Sequence, residues 1–169
     1  NSGLLAPASY TVEELAKAPA GTRLLYLTPS HQYPLGGRLP VERRLAVLRW
    51  ATEHDVLVLE DDYDGEFRYD GVAIPALRSL DVRDRVIYVG SFSKVLFPGL
   101  RLGYVVCPNG VRDDLVATKL NDDLGCGSIE QAALAELMRS GAFDRHLRHA
   151  AAELRRRRTA LLEGLRDHC

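Results

Sequence analysis

Four short apolar runs punctuate the chain: Leu24 to Leu27, Val56 to Leu59, Val86 to Val89 and Tyr104 to Val106. Each is rich in Val, Leu, Ile or Tyr and ends at polar, Pro or Gly residues, which predicts strands. Their nearly continuous apolar character predicts that they are buried. Between the first two, Val41, Leu45, Leu48 and Thr52 recur at helical spacing within Leu39 to His54, and Pro40 suits a first helical turn. This makes one β-α-β unit. The 26 residues between the second and third runs allow another crossover, with a short helix after Pro75 and parallel pairing. Only Gly90 to Gly103 joins the third run to the fourth, and Pro98-Gly99 leaves no room there for a crossover helix. The fourth strand is therefore expected to run antiparallel.

Beyond Cys107 the pattern turns helical. Ser128 with Gln131 reads as a capping box ahead of Ala132 to Met138, and Gly141 interrupts before a longer helix. In that helix Phe143, Leu147, Ala150, Leu154, Leu161 and Leu165 form one apolar stripe, with a basic run from Arg155 to Arg158.

Composition narrows the class. With 46% hydrophobic residues, the 169-residue chain fits one globular core. Lys plus Arg number 22 against 23 for Asp plus Glu, so no global charge calls for nucleic acid or an anionic membrane. Three widely spaced cysteines, Cys107, Cys126 and Cys169, match neither a disulfide framework nor a zinc pattern and suit a reducing compartment. No run approaches the ~20 apolar residues of a membrane span, and the N-terminus lacks the order of a signal peptide; a cytoplasmic protein is expected.

The chemistry gathers at strand ends. Gly90-Ser91-Phe92-Ser93-Lys94 follows a strand and precedes Pro98-Gly99-Leu100-Arg101-Leu102-Gly103-Tyr104. Two hydroxyls and a guanidinium beside an amine suit a phosphate and an aldehyde. Glu60-Asp61-Asp62-Tyr63-Asp64-Gly65-Glu66-Phe67-Arg68-Tyr69 crowds acids at a second strand end, where they repel one another unless a cation sits among them. As a calcium loop this segment fails, because Gly71 falls where the bidentate Glu belongs. Thr28-Pro29-Ser30-His31-Gln32-Tyr33-Pro34-Leu35-Gly36-Gly37 follows the first strand. Parallel strands bring such loops to one sheet edge, where they can meet one ligand. Ser91 to Lys94 also fits the Ser-x-x-Lys of penicillin-recognising acylases, but their partner motifs are missing. His146 and His149 lack a third metal ligand and read, like the Arg155 to Arg158 run, as a solvated helix face.

Together the three segments resemble motifs of fold-type-I pyridoxal-phosphate (PLP) enzymes, and in particular of the MocR group of GntR-family regulators. The likeness spans Leu24 to Val106. It implies a three-layer α/β/α sandwich with a mostly parallel sheet. Residues 1–169 would be part of an aminotransferase-like large domain, with 143–169 a helix leading toward a small C-terminal domain. The resemblance makes Lys94 the catalytic Schiff-base lysine and gives the cofactor phosphate to Ser91, Ser93 and Arg101. Asp61 would face the pyridine nitrogen, where a carboxylate keeps that nitrogen positive. Tyr63 would touch the ring's 3-oxygen. Many relatives have Asn-Pro-x-Gly where this chain reads Tyr33-Pro34-Leu35-Gly36, so Tyr33 is placed near the site without that Asn contact. His31 is expected either to line the pocket or to be a satisfied structural histidine.

The implied function is an effector-sensing PLP domain for a small-molecule amine or amino acid. DNA would be bound only through a domain absent from this chain, and the full-length protein would be a homodimer. The alternative is a fragment of a free-standing aminotransferase of the aminoadipate or aromatic type. Because the fold so implied places a ring-stacking aromatic upstream and a carboxylate-clamping arginine downstream, the chain alone is expected to hold PLP weakly and not to transaminate.

Overall fold

The computed structural model describes residues 15–33, 36–67, 74–125 and 127–168. Pro34-Leu35, Arg68-Tyr69, Gly71, Cys126 and Cys169, which entered the sequence reading, lie outside them. The elements run β1 (Leu24–Leu27), α1 (Val41–Glu53), β2 (Leu57–Asp62), α2 (Leu77–Leu80) and β3 (Val86–Ser91). A 3-10 turn over Pro98–Leu100, β4 (Gly103–Val106), α3 (Asn109–Asp123), α4 (Ser128–Arg139) and α5 (Ala142–His168) follow. The architecture is α/β with a mostly parallel sheet, as expected. The strands lie in the order β1-β2-β3-β4, the first three parallel and β4 antiparallel. Pro98-Gly99 supplies the reversal between β3 and β4, where a crossover helix would otherwise have kept the strands parallel.

Pairing lines the side chains up in rows across the sheet. Leu25, Val58 and Val86 form one row. Leu27, Glu60, Tyr88 and Val106 form the next, and Asp62, Gly90 and Tyr104 the third. Leu25, Leu27, Val58 and Val86 are buried with Val47, Leu48 and Ala51 of α1, Val56, and Leu77 of α2 in one core. The opposite face differs from the expected burial. In β2 the residues alternate, and Leu57, Leu59 and Asp61 are only half-buried. Continuous apolar character suits a sheet covered on both faces, whereas among the described residues the core lies on one face only.

Two charges sit inside that core. Arg44 of α1 is 1% exposed and Glu60 of β2 is fully buried. Their closest N–O approach is 3.5 Å. The guanidinium donates to the carbonyls of Leu39 (2.9 Å), Pro75 (3.0 Å) and Pro29 (2.8 Å). The Glu60 carboxylate accepts the N–H groups of Leu77 and Arg78, both at 2.8 Å, at the start of α2. Burial pushes the Glu60 pKa up, against the pull of those two N–H groups and of Arg44.

The last three helices carry no buried residues among those described. Leu161 and Leu165 of the α5 stripe are 62% and 48% exposed, so the stripe is unpacked there. Gly141, at φ +68, makes the break before α5 that its position implied. The Ser128 capping box is not formed. Gly127 is the N-cap, Ser128 is already helical, and Gln131 turns its amide to the Gly127 carbonyl at 3.3 Å. In the basic run, Arg156 and Arg157 are occupied by Glu153 on the same helix face, whose carboxyl they hold at a pKa of about 2.

Replacing Arg44 by Ala would leave the Glu60 carboxylate buried without its cation and free three carbonyls. The expected cost is about 3–5 kcal/mol of stability, by the usual penalty for an orphaned buried charge. A shift of the urea midpoint of the full-length protein, read with Arg49→Ala as a surface control, measures it.

Candidate functional site

The strand register brings the three polar loops together. Leu27 lies beside Glu60, and Asp61 lies beside Val89 with Asp62 beside Gly90. The loops starting at Thr28, after Asp62 and at Ser91 therefore leave the same edge of three adjacent parallel strands, where open α/β sheets place ligands. Gln32 and Gly37 close the first of these loops through a 2.7 Å backbone bond, with Gly36 at φ +75. Tyr33 is 74% exposed, and burial, then the charges of Asp64, Asp61 and Asp62, raise the pKa of the Tyr63 phenol.

The acidic segment is sorted residue by residue. Strand alternation sends Glu60 and Asp62 to the core face, where both are buried, and Asp61 to the other face. Asp61 accepts the Tyr26 hydroxyl at 2.6 Å. Asp62 accepts the Tyr88 hydroxyl at 3.0 Å, and its second oxygen is buried without a partner among the described residues. Asp64 meets the His31 ring at 2.8 Å. The crowding expected to need one common cation is thus relieved pairwise, by two phenols, an imidazole and the Arg44 clamp. Among the described residues no group of three His, Cys, Asp or Glu is set to hold a metal. His31 proves to be a partnered histidine. Tyr63 donates its hydroxyl to the His31 carbonyl at 3.0 Å, so a contact from it to a ring oxygen would have to release that bond.

The lysine loop is shaped by its own backbone and braced from two sides. Ser91 Oγ accepts the Ser93 N–H at 3.1 Å, which leaves the Ser91 hydroxyl proton to donate outward. Phe92 N–H bonds Leu102 and Leu96 N–H bonds Phe92, which closes a turn around Lys94. Lys94 is exposed and has no ion pair among the described residues. Arg101 adopts the left-handed conformation, φ 52, at the end of the 3-10 turn. Below the loop, a Cβ on Gly90 would overlap the Tyr104 ring. Tyr104 also packs on Phe92, and Tyr88 shares a hydrogen bond with it. Burial, then Tyr104 and Asp62, drive the Tyr88 phenol far above its ordinary pKa.

The second brace comes from α5. His146 donates from Nε2 to the carbonyl of Val95 at 2.7 Å, one residue past Lys94, and Phe143 meets Phe92 edge-on at 6.1 Å. The sequence reading of His146 as part of a solvated face is corrected: its ring is turned onto the lysine loop. Tyr26, Tyr88 and Tyr104 were also missed. The apolar runs absorbed all three as strand residues, although a tyrosine within a run next to an acid-rich strand end is a signal of a buried acceptor.

The fold is an α/β domain whose strand register sets the loop that carries Ser91, Ser93, Lys94 and Arg101 beside the strand end that carries Asp61. A family model for aminotransferase class I and II matches residues 10–168, and the chain belongs to that family. Among curated relatives, it is 43% identical over 126 residues to the probable rhizopine catabolism regulatory protein MocR of Rhizobium meliloti, covering 75% of this chain and 26% of that protein. It is 41% identical over 151 residues to the pyridoxine biosynthesis transcriptional regulator PdxR of Corynebacterium glutamicum, covering 88% and 33%. Among solved structures, kynurenine aminotransferase of Pyrococcus horikoshii superposes with a TM-score of 0.83 at 33% identity, over 92% of this chain and 38% of that one. The α-aminoadipate aminotransferase LysN of Thermus thermophilus gives 0.80 at 34%, over 92% and 40%. The chain thus spans about a quarter to a third of the length of these two regulators.

Gly90→Ala in the full-length protein should displace Tyr104 and cost roughly 1–3 kcal/mol, the usual penalty for overpacking. Adding Tyr104→Ala should then cost less than Tyr104→Ala does alone, because the space is already disputed. Thermal melts of the four proteins of this cycle test the contact, and additive effects would exclude it.

Proposed function

We propose that this chain is the PLP-binding, effector-sensing portion of a MocR-type transcriptional regulator. The observation that carries the reading is the register that sets Asp61 beside Val89, so that the carboxylate and the Lys94 loop leave one edge of adjacent strands. The residues present suit the cofactor. Ser91, Ser93 and Arg101 offer two hydroxyls and a guanidinium to the phosphate. Lys94 offers an amine with no competing carboxylate among the described residues. One oxygen of Asp61 is taken by Tyr26, and the other remains for the pyridine N–H. When bound, PLP supplies an aldehyde that condenses with amines and a ring that draws electrons from the neighbouring carbon.

In this reading Asp61 would hold the ring nitrogen's proton, and Lys94 would supply the amine that holds the cofactor, whose aldehyde chemistry suits an amine or amino acid as ligand. Tyr33 flanks the mouth, and Tyr63 serves the ring's 3-oxygen once released from His31. The brace from α5 onto Val95 ties the Lys94 loop to the last helix, and the parent protein would be a homodimer. DNA would be engaged by a separate domain. The identities of 39–43% to regulators over most of this chain support this class. The TM-scores of 0.80–0.83 to working aminotransferases favour a second reading, a free-standing aminotransferase. Among the described residues no helix is long and apolar enough to cross a membrane.

Two measurements on the full-length protein test the site. After mixing with PLP, borohydride reduction and digestion, the label should map to Lys94; labelling elsewhere rejects the assignment. Asp61→Ala should weaken PLP binding at least about tenfold, or roughly 1.4 kcal/mol, and Asp62→Ala much less. Equal losses would mean the register of the acidic segment is misread. Amino transfer without operator binding would turn the choice toward the enzyme.

A further inference from the structure

We propose that Tyr26 is the positioning residue for Asp61, orienting the carboxylate with one oxygen reserved for the cofactor's ring nitrogen. The inference rests on the assignment of Asp61 to that nitrogen. Tyr26 belongs to β1, where it pairs with Leu59, and Asp61 lies two residues further along β2 on the same face. A long side chain reaches that diagonal neighbour across adjacent strands. The resulting O–H to Oδ2 distance of 2.6 Å is in the range of a charge-assisted bond.

The neighbouring acids each have a different partner. Glu60 is held by Arg44 and two backbone N–H groups, Asp62 by Tyr88 and Asp64 by His31. Asp61 is gripped from the adjacent strand by a neutral phenol. That choice has a chemical consequence. A hydrogen bond from a neutral donor orients the carboxylate and leaves its charge in place. An arginine or lysine in place of Tyr26 would also orient it, but would neutralise the carboxylate and repel a protonated pyridine. A phenol, whose ordinary pKa of about 10 lies well above that of a carboxylate, donates its hydrogen bond and keeps its proton. The aspartate retains its full charge for the ring, and the carboxylate plane is fixed by one occupied oxygen.

The test uses the full-length protein, PLP as ligand, and the variants Tyr26→Phe, Asp61→Ala and their combination. Three quantities are read: the PLP dissociation constant, the pH at which the absorbance of the bound cofactor titrates, and the site of borohydride labelling. Tyr26→Phe removes one oxygen and keeps the ring, so its melting temperature serves as the check on folding. The expected result is a loss of PLP affinity of about tenfold. The absorbance titration should move in the direction seen for Asp61→Ala but less far, with the label still on Lys94. In the Asp61→Ala background, Tyr26→Phe should change neither quantity further. An unchanged titration in Tyr26→Phe, or an equal loss of affinity with and without Asp61, would reduce Tyr26 to a packing residue and overturn the proposal. If Asp61→Ala itself leaves affinity and titration unaltered, the assignment of Asp61 fails, and the proposal with it.

Discussion

A single buried ion pair fixes the ground on which the site stands. Arg44 and Glu60 are both hidden from water, a costly arrangement unless nearly every donor and acceptor is satisfied. Here the satisfaction is what ties the chain together. Arg44 holds the carbonyl of Pro29 in the loop after β1, that of Leu39 ahead of α1, and that of Pro75 ahead of α2. Glu60 holds the first N–H groups of α2. Three segments, at Pro29, at Leu39 with Arg44, and from Pro75 to Arg78, are thereby locked to β2 at Glu60. Asp61 is the very next residue and faces the other way, so the rigidity of the core side sets the place of the carboxylate on the ligand side.

Around that fixed point, the acid-rich strand end works by division of labour. Crowded carboxylates usually raise one another's pKa or recruit a shared cation. This chain distributes them over both faces of a strand and gives each its own donor. The phenols are the economical choice for the residues nearest the sheet edge, because each supplies a hydrogen bond without cancelling a charge. Glu60, the deepest, is the one that receives a guanidinium.

Much of this could be read in the sequence, for identifiable reasons. β1 begins and ends at the residues its apolar run marked, and the antiparallel turn of β4 followed from Pro98-Gly99. The placement of Asp61 opposite to Glu60 and Asp62 followed from strand alternation alone. Lys94, Ser91, Ser93 and Arg101 stood out as an amine, two hydroxyls and a guanidinium at a strand end, and their likeness to a family supplied the roles that local chemistry left open. What escaped were contacts between residues far apart in the chain. The His146 bond to Val95 spans 51 residues, and Tyr26 to Asp61 spans 35. Helical periodicity predicts which face a histidine occupies but not which loop folds over it. The expected burial of both sheet faces failed for a related reason: apolar pattern reports what a strand can tolerate, and cover depends on what packs there.

The arrangement of the four strands has a bearing on how this polypeptide behaves as a substance. β1 and β4 each have a strand partner on one side only among the described residues. Along β4 every residue is exposed, and Val105 and Val106 present 52% and 44% of their surface. A short, apolar strand at the margin of a sheet is a template for a further strand. Neither a proline nor a charged residue interrupts Gly103–Val106 to discourage that pairing. Among the described residues this border of the sheet is open to a further strand, and it begins directly where the lysine loop ends.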